Sequence, residues 1–267
     1  MRTLRIGHSP DADDAFMFYG FATGRVTVRG FAIEHVMRDI QTLNEIATGD
    51  DPLEVTALSV HAWFDLAHRY ELLEVGTSVG RGYGPRVIAR EPKPVAALAG
   101  ARVALPGPRT TATLVARHLL PPFEEVQMPF ERVMEAVAAG EADAGVIIHE
   151  GQLTYADRGF ALVADLGQLF AERHGGLPLP LGVNCVRRDL PLADREAIAD
   201  AYRRSVELAL RERDAALDYA LAFGRGLPRD RADTFVGMYV NRDSLDLGPD
   251  LRRALEVLRR EYLGRGR

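Results

Sequence analysis

The chain has one cysteine, Cys185, one tryptophan and one lysine, Lys93, among 267 residues. A single cysteine excludes an internal disulfide and any cysteine-based metal cluster. Cys185 lies inside the run LGVNCVRR, where a packed core thiol is the ordinary role. No run of 18 apolar residues occurs, so no membrane-spanning helix is expected. The opening MRTLRIGHSP carries no apolar signal core, which points to a cytoplasmic protein. Basic residues are outnumbered, 33 Lys plus Arg against 38 Asp plus Glu, for a net charge of −5. That balance argues against a nucleic-acid or anionic-membrane partner. An anionic ligand then needs a local receptor.

What is present is ordinary for a soluble globular protein, with 47% hydrophobic and 27% charged residues. The length allows one large or two ordinary domains. The stretch GEADAGVIIHE organises the reading. A helical run over 130–139 stops at Gly140, a glycine cap. The small-apolar run 144–148 then reads as a strand buried on both faces, ending at His149. In open α/β sheets ligands sit at the carboxyl ends of strands, and an imidazole there is placed to move protons near neutral pH. A histidine that merely closes the strand and bonds a carbonyl fits the same position, and strand-end placement alone leaves the two readings level.

Other strand ends carry polar groups. His8 follows the strand 4–7, and Ser9 as N-cap, Pro10 at the first helical position and Asp11, Asp13 and Asp14 in the first turn form a helix start, with the acidic residues compensating the helix dipole or holding a divalent cation. A helix from there is expected to run to Gly24. Asp39 caps a helix over 40–48 that includes Asn44. Ser59 follows the strand 53–58, both as an N-cap for the next helix and as a ligand contact. His61 and His68 stand seven apart on that helix with no third ligand, so no metal site is expected there. Thr110 and Thr111 stand where a strand over 102–105 gives way to a helix, which is an anion receptor or a plain capped helix. The glycines of GTSVGRGYGP lack the helix that a dinucleotide fingerprint needs, and read as a tight or flexible connection.

Two similar segments, 85–90 and 183–188, read as antiparallel connectors. They predict an α/β chain in two lobes, residues 1–90 plus 184–267 with C-terminal helices, and an inserted lobe of residues 91–183. Such an arrangement, with two crossover strands around a central cleft, resembles the type II periplasmic-binding-protein fold, which solute receptors, effector sensors and a few enzymes share.

The motifs HSPDADDAFMFYG, DIQTLN, TALS, GPRTTA, GVIIHEGQLTY, LPLPLG and MYVNRDSLDLG follow one another from residue 4 to about 248. In that order they resemble the 1,4-dihydroxy-6-naphthoate synthase family of the futalosine route to menaquinone. The resemblance implies a carbon–carbon lyase converting cyclic dehypoxanthine futalosine to 1,4-dihydroxy-6-naphthoate, with no metal or other cofactor. It implies that His149 is the general base and that Thr110, Thr111 and the segment Ala57, Leu58, Ser59 grip the substrate carboxylate, with Asn44 a further contact. The family commonly has lysine where this chain has Ala57. Two other activities share the architecture, a cytoplasmic carboxylate-binding protein and a chorismate dehydratase. The histidine, the threonine pair and the scarcity of lysine favour the synthase.

Overall fold

The computed structural model describes residues 1–223 and 226–264. In chain order the elements are β1 (Arg2–His8), α1 (Ala12–Met17), α2 (Tyr19–Ala22), β2 (Phe31–Met37), α3 (Ile40–Thr48), β3 (Val55–Ser59), α4 (Val60–Leu66), β4 (Tyr70–Leu72) and β5 (Ser78–Gly80). Then come β6 (Arg86–Ala89), β7 (Arg102–Leu105), α5 (Thr111–Leu119), β8 (Glu124–Gln127), α6 (Val133–Ala139), β9 (Ala144–Ile147), α7 (Gly151–Thr154), β10 (Ala161–Asp165) and α8 (Leu166–Arg173). The chain closes with β11 (Leu179–Arg187), α9 (Leu192–Arg211), α10 (Arg213–Leu221), α11 (Arg229–Tyr239) and α12 (Pro249–Gly264).

Two compact units result. The first comprises residues 1–79 and 181–248. Its sheet runs β2-β1-β3-β11-β4, with β1 parallel to β2 and β3, and β11 antiparallel to β3 and β4. Helix α9 buries Ile198, Ala201, Ser205 and Ala209, spaced by three and four so that they share one face, with Tyr202 beside them. It packs on α2, and α10 and α11 pack on α1. The second unit comprises residues 80–180 and the segment from Pro249. Its sheet runs β10-β6-β9-β7-β8, with β7 parallel to both β8 and β9. Ile88, Ala104, Val133, Val137, Ala142 and Ile147 form its core beneath α6.

The boundaries differ from those read in the sequence. The first divide falls at 79/80 because β6 pairs with β9 and β10, so this connector belongs wholly to the second sheet, and the other falls at 180/181, at the start of β11, which pairs with β3 and β4. Helix α12 groups with the second unit and not the first, and His174 Nε2 beyond α8 lies 3.1 Å from Glu261 Oε1. Its buried face, Leu251, Ala254, Leu255 and Leu258, calls for a partner without naming one. Residues 224–225 and 265–267 of the expected first lobe lie outside the described residues.

Helix starts and breaks differ too. Asp11, not Ser9, occupies the N-cap position of α1. Ser9 instead donates its backbone N–H to Asp14 Oδ2 at 2.9 Å and its hydroxyl to Asp11 Oδ2. The helix expected to run to Gly24 breaks at Phe18, and α4 ends before His68. The run 130–139 divides into a single 3-10 turn, Phe130–Arg132, and α6, but it stops at Gly140 as expected, with φ 76°. Asp39 caps α3, accepting from Gln41 N–H and Thr42 N–H at 3.1 Å each.

Candidate functional site

In the second unit, β7 and β9 run parallel as neighbours, so the loops after their carboxyl ends share one edge of the sheet. His149 lies on one and Thr110–Thr111 on the other. His149 has φ 55°, and among the described residues it is the non-glycine residue with positive φ. L side chains disfavour that region, so surrounding structure must hold it there. Its carbonyl accepts from Gln152 N–H at 3.1 Å, which opens α7 directly behind it. The imidazole is half-buried with Nε2 itself covered, and the Phe130 ring stands against it at 4.8 Å between centroids, inclined by 66°.

Thr110 is the N-cap of α5. Its Oγ1 accepts from Thr113 N–H at 3.2 Å and donates to Gly107 O at 2.9 Å. Thr111 occupies the first helical position, and both are 2% exposed. The capped-helix reading of Thr110 therefore holds, and the positive end of a nine-residue helix is added to whatever its hydroxyl does.

In the first unit, Asn44 of α3 and Ser59 at the end of β3 form a reciprocal pair. Asn44 Nδ2 donates to Ser59 Oγ at 3.0 Å and Asn44 Oδ1 accepts from Ser59 N–H at 2.9 Å. Ser59 holds the N-cap position of α4, yet its side chain makes no cap bond. The pair thus fixes the hydroxyl at the carboxyl end of a strand whose neighbour β1 ends at His8. Ala57 packs with Leu43 and Leu53, and Leu58 is fully buried, so the side chains of both serve the core.

The model of the family described as Menaquinone biosynthesis matches residues 4–262. The chain belongs to that family. It is 41% identical over 266 residues to a 1,4-dihydroxy-6-naphthoate synthase of Thermus thermophilus, covering 100% of this chain and 96% of the relative. A crystal structure of an Archaeoglobus fulgidus protein is 44% identical, with a TM-score of 0.93 and coverage of 99% of this chain and 98% of that one. A Candida albicans protein described as having the generic periplasmic-binding-protein fold superposes with a TM-score of 0.69 at 12% identity, covering 98% and 91%. The fold of this family member is therefore the two-lobed α/β fold of periplasmic binding proteins.

Several groups singled out in the sequence have structural roles. His8 is 1% exposed and stacked on Phe18 at 4.1 Å. Its Nδ1 lies 3.1 Å from Ser9 O and its Nε2 3.2 Å from His35 Nδ1. Cys185 is fully buried, and burial pushes its thiol well above the ordinary range. His61 is buried, and His68 lies beyond α4 with Nδ1 donating to Asp65 O at 2.9 Å. No group of three His, Cys, Asp or Glu among the described residues is arranged to hold a metal ion, and no described helix is long and apolar enough to cross a membrane.

Burial lowers the His8 pKa from 6.5 to about 4, so the folded state keeps this ring neutral where the unfolded chain protonates it. Stability from this group is full above pH 6.5 and declines as pH falls toward 4. The loss amounts to about 3 kcal/mol, or of the order of 5 °C in Tm or more. His8→Phe keeps the stacking and is expected to flatten the Tm profile between pH 6.5 and 4.5, leaving the smaller, like-signed contribution of His35. Calorimetry across that range reads it directly.

A cavity of about 600 Å³ in the first unit, lined by residues including His68, Arg69, Arg187 and Arg188, lies at the amino end of β3, away from Ser59. Arg69 Nη1 donates to Ala47 O and Gly49 O at 2.9 Å each, and Arg188 Nε donates to Ala67 O at 2.8 Å. These guanidiniums neutralise the carbonyl ends of α3 and α4. Asp50, Asp51 and Asp189 line the cavity as well, and these carboxylates disfavour an anion there.

The sequence reading missed Phe130 and Arg86, both of which bear on His149. Phe130 lies 19 residues away on another element, and Arg86 sits inside an apolar strand pattern. Neither has a local signature.

Proposed function

We propose that the protein is a 1,4-dihydroxy-6-naphthoate synthase, a cytoplasmic carbon–carbon lyase that converts cyclic dehypoxanthine futalosine to 1,4-dihydroxy-6-naphthoate and a sugar-derived fragment. The supporting observation is His149, an imidazole held with φ 55° at the carboxyl end of a parallel strand in a member of the menaquinone family. In this reading the neutral imidazole takes a proton from the substrate, from a sugar hydroxyl or from carbon. As the carbon–carbon bond breaks, its electron pair passes toward the ring, and aromatisation of the product supplies the driving force. Thr110 and Thr111 bind the substrate, its carboxylate above all, equally in ground and transition states, and Asn44 and Ser59 are further proposed substrate contacts. Ala57 and Leu58 contribute through their backbone, since their side chains pack in the core.

The testing experiment is product analysis after incubating purified protein with cyclic dehypoxanthine futalosine, with chorismate as a parallel substrate. Dihydroxynaphthoate from the first and no turnover of the second supports the synthase. Bound but unchanged ligand would point to a binding protein, and turnover of chorismate to the dehydratase. Two substitutions separate holding from capping. Thr111→Val is expected to raise KM about tenfold with kcat little changed, as for an interaction made equally in ground and transition states. Thr110→Val should raise KM as well and also lower stability by about 1 kcal/mol through the lost cap. Equal KM values in wild type and Thr111→Val would remove the threonine from the binding set.

A further inference from the structure

His149 is braced by side chains from two other elements, and neither brace is a feature of the strand that carries it. Arg86 stands on β6 opposite Ile147, the last residue of β9, in the antiparallel register. Its Nη1 donates to Gln152 O at 2.6 Å, its Nε reaches Asp165 Oδ2 at 3.4 Å, and its guanidinium carbon lies 5.4 Å from the centroid of Tyr155. Gln152 in turn donates its N–H to His149 O at 3.1 Å. The four-residue helix α7 is too short to be stable by itself, so the guanidinium holds the turn behind the histidine. On the ring side, Phe130 meets the imidazole at 4.8 Å and 66°, the edge-to-face range of aromatic pairs. It opens the turn that leads into α6, whose Val133 and Val137 lie in the core of the unit.

We propose that Arg86 and Phe130 are positioning residues that clamp His149, Arg86 fixing its left-handed backbone through Gln152 and Phe130 fixing the plane of its ring. The proposal rests on His149 being the base of the proposed reaction. A left-handed, non-glycine residue relaxes when its supports are removed, and an ångström of misplacement at a reacting group costs about a hundredfold in rate. The planar fork of Arg86 serves a carbonyl, a carboxylate and a ring together, which a lysine at the same place cannot do.

The test uses full-length Arg86→Lys, Arg86→Met, Phe130→Leu and Phe130→Tyr beside wild type and His149→Ala. Kinetics with cyclic dehypoxanthine futalosine are expected to show kcat lowered about 10- to 100-fold in the Lys, Met and Leu variants, with KM within about threefold and Phe130→Tyr close to wild type. Carbethoxylation of His149 by diethyl pyrocarbonate, followed on its own peptide by mass spectrometry without substrate, supplies a readout independent of turnover. Nε2 is covered in the clamped state, so release of the ring should raise the modification rate about threefold or more in those three variants. Wild-type reactivity of His149 in both Arg86→Met and Phe130→Leu overturns the clamp, whatever the kinetics. Reduced kcat with faster modification, together with rescue by Phe130→Tyr, supports it. Undiminished turnover by His149→Ala would defeat the reading of His149 as base and with it the kinetic role, while the modification rates would still decide whether the two residues fix the imidazole.

Discussion

His149→Ala is expected to lower kcat about 10²- to 10⁴-fold, the usual contribution of a positioned general base, while the protein stays folded. The fold should survive because His149 lies beyond the end of β9 and is only half-buried, outside the core of Ile88, Ala104, Val133 and Ile147. His149→Gly separates function from stability more sharply. A φ of 55° suits glycine, so relief of backbone strain should offset lost side-chain contacts and leave stability equal to wild type or higher by up to about 1 kcal/mol. Turnover should vanish all the same. An inactive protein that is as stable as wild type is the signature of strain kept for function. If His149→Ala and His149→Gly both turn over substrate at near wild-type kcat, the imidazole is not the base. A His149→Gln variant adds a control, since it retains hydrogen bonding but cannot take up a proton near neutral pH.

Gly167→Ala is expected to be the most damaging single-methyl change, costing about 3 kcal/mol or more. A Cβ at residue 167 would lie 1.9 Å from Tyr83 O, 2.1 Å from Tyr83 C and 2.6 Å from Gly84 N. All three are main-chain atoms, so no side chain can rotate aside. The crossing is pinned on each side. Asp165 caps α8 by accepting from Gly167 N–H at 2.9 Å, and Leu166 N–H donates to Pro85 O at 2.9 Å. A Cβ at Gly80 would likewise lie 1.9 Å from Tyr83 O. Gly82 is the control. It has φ 76° and nothing within 4 Å of an added Cβ, so Gly82→Ala should cost only about 1–2 kcal/mol from the backbone term. Urea unfolding of the two variants reads the difference as a shift in midpoint. Similar midpoints would mean that the Tyr83–Gly84 passage moves freely and that the close approach is not a constraint.

These two sites also show where a sequence stops being informative. The glycines at 80, 82 and 84 look alike in the sequence, as a connection either tight or flexible. Position 80 is closed by the main chain of Tyr83, three residues on, where the loop folds back, and position 82 has nothing within 4 Å of an added Cβ. The threonine pair behaves similarly. Either residue of the pair is suited to cap a helix, and only the backbone angles assign the cap to Thr110 and the first turn to Thr111. Ser59 reads as an N-cap, yet its oxygen is engaged by Asn44, fifteen residues earlier on α3.

By itself the sequence determined the α/β class, a strand just before His149, although β9 ends at Ile147, the cap at Asp39, the stop at Gly140 and, through its ordered motifs, membership of the menaquinone family. These are local features: periodicity, capping chemistry and short strings that survive whatever packs on them. Tertiary structure alone decided that β6 joins the second sheet, that α12 groups with the second unit, and that Asp11 and not Ser9 starts the first helix. It also decided which side chains reach His149. Arg86 and Phe130 meet it from other elements, through strand register and a turn before α6, and contacts between residues far apart in the chain leave no periodic trace in the sequence.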